Sequence, residues 1–277
     1  MNSLWIRMIA VALAGGGLYL ALTQQPPAQP LTVEKLADDL HVIVGSGGNV
    51  AVLKTDEGTV LVDDKFDRNV PEILEKVKAI SDKPVRYIMN THHHGDHTGG
   101  NTTLIKSAEI VGHDNVFANM TKGNQPGPPR ITFSDKATLH VGGKELRAHY
   151  FGRGHTNGDS VILFPAQRVL HTGDLFVQGA PFIDYNNGGS GVEWTSTLEK
   201  ALTLDFDRVI PGHGPIMTKA QLKEWVAIFH KVQSKASEFK RGKSQEEFVK
   251  GFTIDELGWK PGPNWTKALP ALYQEIR

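Results

Sequence analysis

Cysteine is absent from the 277-residue chain. That excludes a disulfide framework, a thiolate nucleophile and a Cys-rich structural zinc site. It leaves the compartment open, because disulfide-free proteins work on either side of a membrane. Net charge is also absent: 30 Lys and Arg balance 30 Asp and Glu. A chain without a basic stripe has no electrostatic footprint for nucleic acid, which argues against a nuclease. No apolar run reaches the roughly 20 residues of a membrane-spanning helix. From Leu31 onward there is no dividing linker, no low-complexity tract and no repeat. Residues 31–277 therefore read as a single domain with a helical C-terminal extension, long enough for a sizeable core.

The N-terminus is different. Arg7 precedes an apolar stretch from Met8 to Leu22, and "QQPPAQP" follows. That length suits the hydrophobic region of a signal peptide. Ala21-Leu22-Thr23 is a poor cleavage site, so a retained N-terminal anchor is the alternative. Residues 1–30 read as an export segment plus a Pro-rich spacer. The expected location is periplasmic, in a Gram-negative-type envelope, with membrane contact only through an uncleaved segment.

Strands are expected at 41–45, 50–55, 59–64 and 85–90, and within "AEIVG", "ATLHVG", "KELRAHYFG", "DSVILFP", "RVLHTG" and "DRVIPG". Helical spacing marks "VPEILEKVKAIS", 192–203 and 219–236. Strand runs interspersed with helices predict a layered α/β domain with mixed sheets. Two long Gly-, Pro- and Asn-rich stretches, 121–134 and 177–191, read as loops, the second as a wall or lid of a site.

What is present in excess is histidine at one point. "NTHHHGDHTGGN" gathers His92, His93, His94, Asp96 and His97 directly after the strand expected at 85–90. His92, His94 and Asp96 recur every second residue. On a helix such positions point to nearly opposite sides, and helical metal sites use i and i+4 instead. The two-residue period with Gly95 predicts a loop. His97 breaks the period, so one loop can feed two neighbouring positions, with His92 and His94 at one and Asp96 and His97 at the other. Further ligands stand at strand-to-loop junctions: His155 in "GRGHTNGDS", Asp174 in "LHTGDLF" and His213 in "VIPGHGP". Imidazole and carboxylate without thiolate suit zinc, and equally iron or manganese. His93 reads as a site wall or an exposed side chain. His41, His113, His140, His149, His171 and His230 read as structural or surface residues, and Asp159 as ordering the His155 loop.

"THHHGDH", "GHTNGD", "TGD" and "PGHG", in that order, resemble the metal-ligand motifs of the metallo-β-lactamase superfamily over residues 35–217. The resemblance implies an α/β fold, an αββα four-layer sandwich of two mixed β-sheets flanked by helices, with a metal site at one edge. It implies that His92, His94 and His155 bind a first metal, that Asp96, His97 and His213 bind a second, and that Asp174 bridges them. Asp63, at the end of "VLVDD", matches an aspartate that supports a ligand from behind.

The expected function is that of a binuclear Zn2+ hydrolase whose metal-bridging hydroxide attacks an acyl carbonyl, with Asp96 orienting it and shuttling a proton. Two cations less two aspartates and a hydroxide leave a site charge of about +1, which favours a small anionic acyl substrate. A β-lactamase-like hydrolase of cyclic amides is the first reading. The alternative is a thioesterase or lactonase resembling glyoxalase II, which shares the bridging aspartate. β-Lactamases of this type often carry Cys at the Asp174 position and a substrate-binding Lys soon after. Leu175–Glu199 holds no Lys or Arg, so the carboxylate anchor is sought at Arg153, Lys122 or Arg130. A non-catalytic metal-binding protein and a flavin-linked diiron protein fit less well, the latter because it expects Glu where His94 stands. The Trp-bearing tail after Thr218 reads as helices packed on the outer layer.

Overall fold

The computed structural model describes residues 30–276, so the export segment expected over 1–30 lies outside the described residues, apart from Pro30. Seven strands form a first sheet: β1 (Thr32–Lys35), β2 (Leu40–Val44), β3 (Val50–Lys54), β4 (Thr59–Val62), β5 (Val85–Met89), β6 (Glu109–His113) and β7 (Ile131–Phe133), side by side in that order. Pairing is antiparallel from β1 to β4 and parallel from β4 to β7. Six strands form a second sheet: β8 (Lys136–Val141), β9 (Lys144–Tyr150), β10 (Ser160–Phe164), β11 (Val169–Gly173), β12 (Arg208–Pro211) and β13 (Met217–Thr218). Only β11 and β12 run parallel there. The helices are α1 (Val70–Ile80), the single turns α2 (Gly95–Thr98) and α3 (Asn101–Leu104), α4 (Asp114–Lys122), α5 (Trp194–Ala201), α6 (Lys219–Lys240), α7 (Gln245–Gly251) and α8 (Pro263–Glu275).

Alternating side chains build the layers, because successive residues of a strand face opposite sides. Ala51 and Leu53 of β3 join Ile162 and Phe164 of β10 in a core between the two sheets. Their neighbours Val50 and Val52 turn outward and meet Val70, Ile73 and Val77, the buried stripe of α1. On the far side, Val161 and Leu163 pack under Trp194, Trp225 and Phe229 of α5 and α6. The result is the expected αββα sandwich. Ile73 of α1 is fully enclosed, so truncating it to Ala costs about 2–5 kcal/mol.

The strand expectations at 41–45, 50–55, 59–64 and 85–90 correspond to β2, β3, β4 and β5. β4 stops at Val62 because Asp63 takes a left-handed backbone, φ 63°. The stretch 121–134 is not one loop: it begins inside α4 and contains β7. Helix α6 runs four residues beyond the expected 236, and starts at a capping box in which Thr218 and Gln221 bond reciprocally. The tail tryptophans Trp225, Trp259 and Trp265 are all buried in the outer core, as expected for packed helices. Among the described residues no helix is long and apolar enough to cross a membrane.

Candidate metal centre

The site residues leave the sheets at one edge. Asp63 follows β4, Asn90–His97 follow β5, His155 lies between β9 and β10, Asp174 follows β11, and His213 follows β12. β4, β5, β11 and β12 are the parallel strands around the seam, and open α/β sheets place their ligands beyond the carboxyl ends of such strands. His92 and His94 occupy the expected loop. Asp96 and His97 do not: they sit on the single helical turn α2, which lets adjacent residues diverge.

Ligand atoms of His92, His94, His155 and Asp174 all lie within 4.8 Å of one another, and so do those of Asp96, His97 and His213. The structure thus brings all seven expected residues together. Asp174 lies between the groups. Its Oδ2 is 3.6 Å from His155 Nε2, and its Oδ1 is 3.2 Å from His97 Nε2 and 3.5 Å from His213 Nε2. Asp96 Oδ2 lies 3.2 Å from His213 Nε2.

Hydrogen bonds at the backs of the rings fix which nitrogens face inward. His155 Nδ1–H donates to Phe182 O at 2.7 Å, which leaves Nε2 as a lone pair. His94 Nε2–H donates to Asp184 Oδ2 at 2.8 Å, which leaves Nδ1 as a lone pair. His97 Nδ1–H donates to Asp63 Oδ2 at 2.8 Å. Asp63 also accepts the Thr91 N–H and O–H, both at 2.8 Å, and Thr91 Oγ1 accepts from His92 Nδ1 at 3.1 Å. One carboxylate therefore sets ring orientation in both groups, the supporting role expected of Asp63.

These residues fit divalent cations. The two lone pairs of His94 Nδ1 and His155 Nε2 meet at 2.8 Å, a contact that only a proton or a metal ion relieves. His92 Nε2 is buried with no hydrogen-bond partner, which costs free energy unless something binds it. The donors are imidazole and carboxylate, in numbers that suit zinc, iron or manganese.

The electrostatics of the groups differ. Burial drives His92 well below the usual imidazole range and His155 down to about 4, so those two rings are neutral. Burial also presses on His97 and His213, but Asp174 and Asp96 outweigh it, holding His97 well above its usual range and His213 up to about 9. Burial raises the Asp174 and Asp96 carboxyls, and His97 and His213 more than reverse it, taking Asp174 well below its usual range and Asp96 to about 2. Cations entering the second group displace protons from His97 and His213.

His93 is buried as a site wall, and its ring is held down to about 3 by burial first and by nearby His94. Asp159 orders the His155 loop by accepting the Thr156 N–H at 2.8 Å and O–H at 2.5 Å. Of the three sought anchors, Arg153 is occupied by the Glu193 carboxylate, at 2.5 and 3.2 Å. Arg130 lines a groove with Phe117 and Pro129. Lys122 reaches the Asn186 carbonyl at 3.4 Å and is close enough to His93 to oppose its protonation.

Three contributors escape the sequence. Asp184 looks like a turn former before "YNNGG". One of its oxygens does accept the Asn187 N–H, at 3.3 Å, while the other holds His94. Asn49 donates Nδ2–H to Pro211 O and Gly214 O, both at 2.9 Å, and so clasps the His213 loop. Buried Lys65, its ammonium pushed down to about 8 by burial, donates to Gly48 O. Gly48 in turn donates to Asp96 O at 3.0 Å.

Residues 43–213 match the model of the Metallo-beta-lactamase superfamily. The chain belongs to that superfamily. It is 31% identical over 174 residues to Metallo-beta-lactamase type 2 of Bacillus cereus, covering 61% of this chain and 67% of that protein. It is 27% identical over 254 residues to Beta-lactamase-like protein 2 homolog of Caenorhabditis elegans, covering 87% of this chain and 82% of that one. The solved metallo-beta-lactamase from Pontibacter korlensis shares the fold, with a TM-score of 0.66, 22% identity and coverage of 72% of this chain and 99% of that one. This superfamily member is a metal-dependent hydrolase.

Proposed function

We propose that the chain is an exported, binuclear zinc hydrolase of small anionic acyl compounds, β-lactam-like cyclic amides first among them. His92, His94 and His155 hold one ion, and Asp96, His97 and His213 hold the other. Asp174 is shared. The observation that carries this reading is the 2.8 Å approach of His94 Nδ1 to His155 Nε2, each ring held from behind through its other nitrogen, beside the buried and unbonded His92 Nε2. Ions bound there supply an activated water near neutral pH and a Lewis acid for the acyl carbonyl.

The chain's own groups do the rest. Asp96, ionised at neutral pH and partly exposed at 27%, orients the attacking water and takes its proton at Oδ2. Lys122 receives the substrate carboxylate from the side of His93, in place of the lysine missing from 175–199. A second reading, a thioesterase or lactonase resembling glyoxalase II, is favoured by the shared carboxylate being Asp174 rather than a thiolate.

The test is a hydrolysis panel on the zinc-reconstituted protein, pairing a chromogenic cephalosporin with a glutathione thioester and an acyl lactone. Cephalosporin turnover that disappears in His94→Ala and after chelation supports the first reading, and thioester or lactone turnover alone selects the second. Full activity of the chelated, metal-free protein sinks both.

A further inference from the structure

We infer that Glu275, on the last helix and outside the matched segment 43–213, is a positioning residue for the first metal group. The inference rests on the proposed reading that His94 and His155 hold an ion. Both rings depend on one loop for their orientation: Phe182 O takes the His155 Nδ1–H, and Asp184 Oδ2 takes the His94 Nε2–H. That loop contains Gly179, Gly188, Gly189 and Gly191, and Gly188 is left-handed at φ 71°. Glycines leave a segment many conformations to lose, so something outside it must hold it in place.

Glu275 does so with one carboxylate. It accepts the Tyr185 hydroxyl at 2.7 Å, the Gly191 N–H at 2.9 Å and the Val192 N–H at 3.3 Å, and it pairs with the Ser190 hydroxyl. Ser190 Oγ accepts the Glu193 N–H at 2.9 Å, which carries the clamp into the start of α5. Gln233 of α6 adds a bond to Gly191 O at 2.8 Å. Four donors converging on a charged acceptor make the strongest kind of hydrogen-bonded anchor available to a loop. Burial and the Glu275 charge both raise the Tyr185 phenol, so its proton stays in place as a donor. Tyr185 is the next residue after Asp184, so the path from α8 to His94 is Glu275, Tyr185, Asp184, His94. The C-terminal extension thereby acts at the metal site without approaching it.

The experiment uses the full chain with Glu275→Ala, Glu275→Gln and Tyr185→Phe, and Lys235→Ala as a control on an exposed ion pair with Glu256. Stepwise cobalt(II) titration followed by visible absorption resolves the two ions, with His94→Ala and His213→Ala as references for losing each. Glu275→Ala is expected to weaken the first ion about tenfold or more, as loss of an outer partner does, and to leave the second within about twofold. Tyr185→Phe, which removes the bond to Glu275 and the longer one from the Gly191 N–H, should move the same ion less, and Lys235→Ala neither. Amide hydrogen exchange on the metal-free proteins gives a readout that needs no ion. Glu275→Ala should speed exchange across 182–192 and leave β5 unchanged. Equal weakening of both ions, or unchanged exchange and unchanged first-ion affinity, overturns the inference. If His94→Ala binds as much cobalt as the unmodified chain, the metal assignment fails instead, and the exchange data still decide whether Glu275 holds the loop. Should Glu275→Ala not fold, Tyr185→Phe carries the same comparison.

Discussion

Asp63 Oδ2 lies 2.8 Å from His97 Nδ1, and both side chains are fully buried. The aspartate reaches that position only because its own backbone is left-handed, a region that asparagine and aspartate tolerate better than other side chains. Asp63→Asn therefore keeps the turn and removes the charge. It is expected to lower zinc affinity and kcat/KM by about 10–100-fold without unfolding the chain. Zinc content per chain and steady-state kinetics, with circular dichroism as a fold check, measure it. Unmodified zinc content and rate would show that the carboxylate does not support the ring.

Two glycines give a sharper steric prediction. A Cβ built on Gly48 overlaps the His97 ring, and one on Gly212 overlaps Asp174 Oδ1 and the Gly173 backbone, whereas one on Gly95 meets nothing within 4 Å. Gly48→Ala and Gly212→Ala should each lose at least one ion and about 100-fold or more in activity, because a displacement near 1 Å is enough to cost that much. Gly95→Ala, inside the histidine motif itself, should keep its full zinc content. Inductively coupled plasma analysis of the three variants separates close packing from mere proximity in sequence. Equal zinc loss in all three would refute the packing explanation.

The pH dependence of the metal-free fold should carry the mark of His171. This buried ring donates Nε2–H to Asn49 O and accepts the Gly173 N–H at Nδ1, both at 3.1 Å, so the folded state requires it neutral. Burial pushes its pKa down to about 4. In the unfolded chain it titrates near 6.5. Below that pH the unfolded chain takes up a proton that the folded chain refuses. Stability is thus fully present above about 6.5 and declines as pH falls toward 4, by about 3 kcal/mol from this residue. Urea unfolding between pH 7 and 4.5 should show a shallower decline in His171→Gln than in the unmodified chain. Identical slopes would count against it.

The seven candidate ligands were legible because each carries a local signal: a two-residue period, a flanking glycine, or a position just past a strand. Motif order then added the fold. Asp184 and Glu275 lack any such signal. Asp184 lies 90 residues from His94 and reads as a turn former, and Glu275 is a lone acidic residue at the end of a helix whose only other charge is Lys267. Their roles arise from loop closure and helix docking, which no local pattern encodes. The short edge strands β1, β7 and β13 were missed for a related reason. With two to four residues and mostly exposed side chains, they show no alternation, and only pairing with a neighbour defines them.

The candidate ligands are divided between the halves of the sandwich: His92, His94, Asp96 and His97 follow the first sheet, while His155, Asp174 and His213 belong to the second. An ion held among them is a cross-link between the layers, added to their side-chain packing and to bonds such as those of Asn49 with Pro211 and Gly214. Its binding energy adds to the unfolding energy, by about 4 kcal/mol when free metal exceeds the dissociation constant a thousandfold. Melting temperature then becomes a gauge of metal supply.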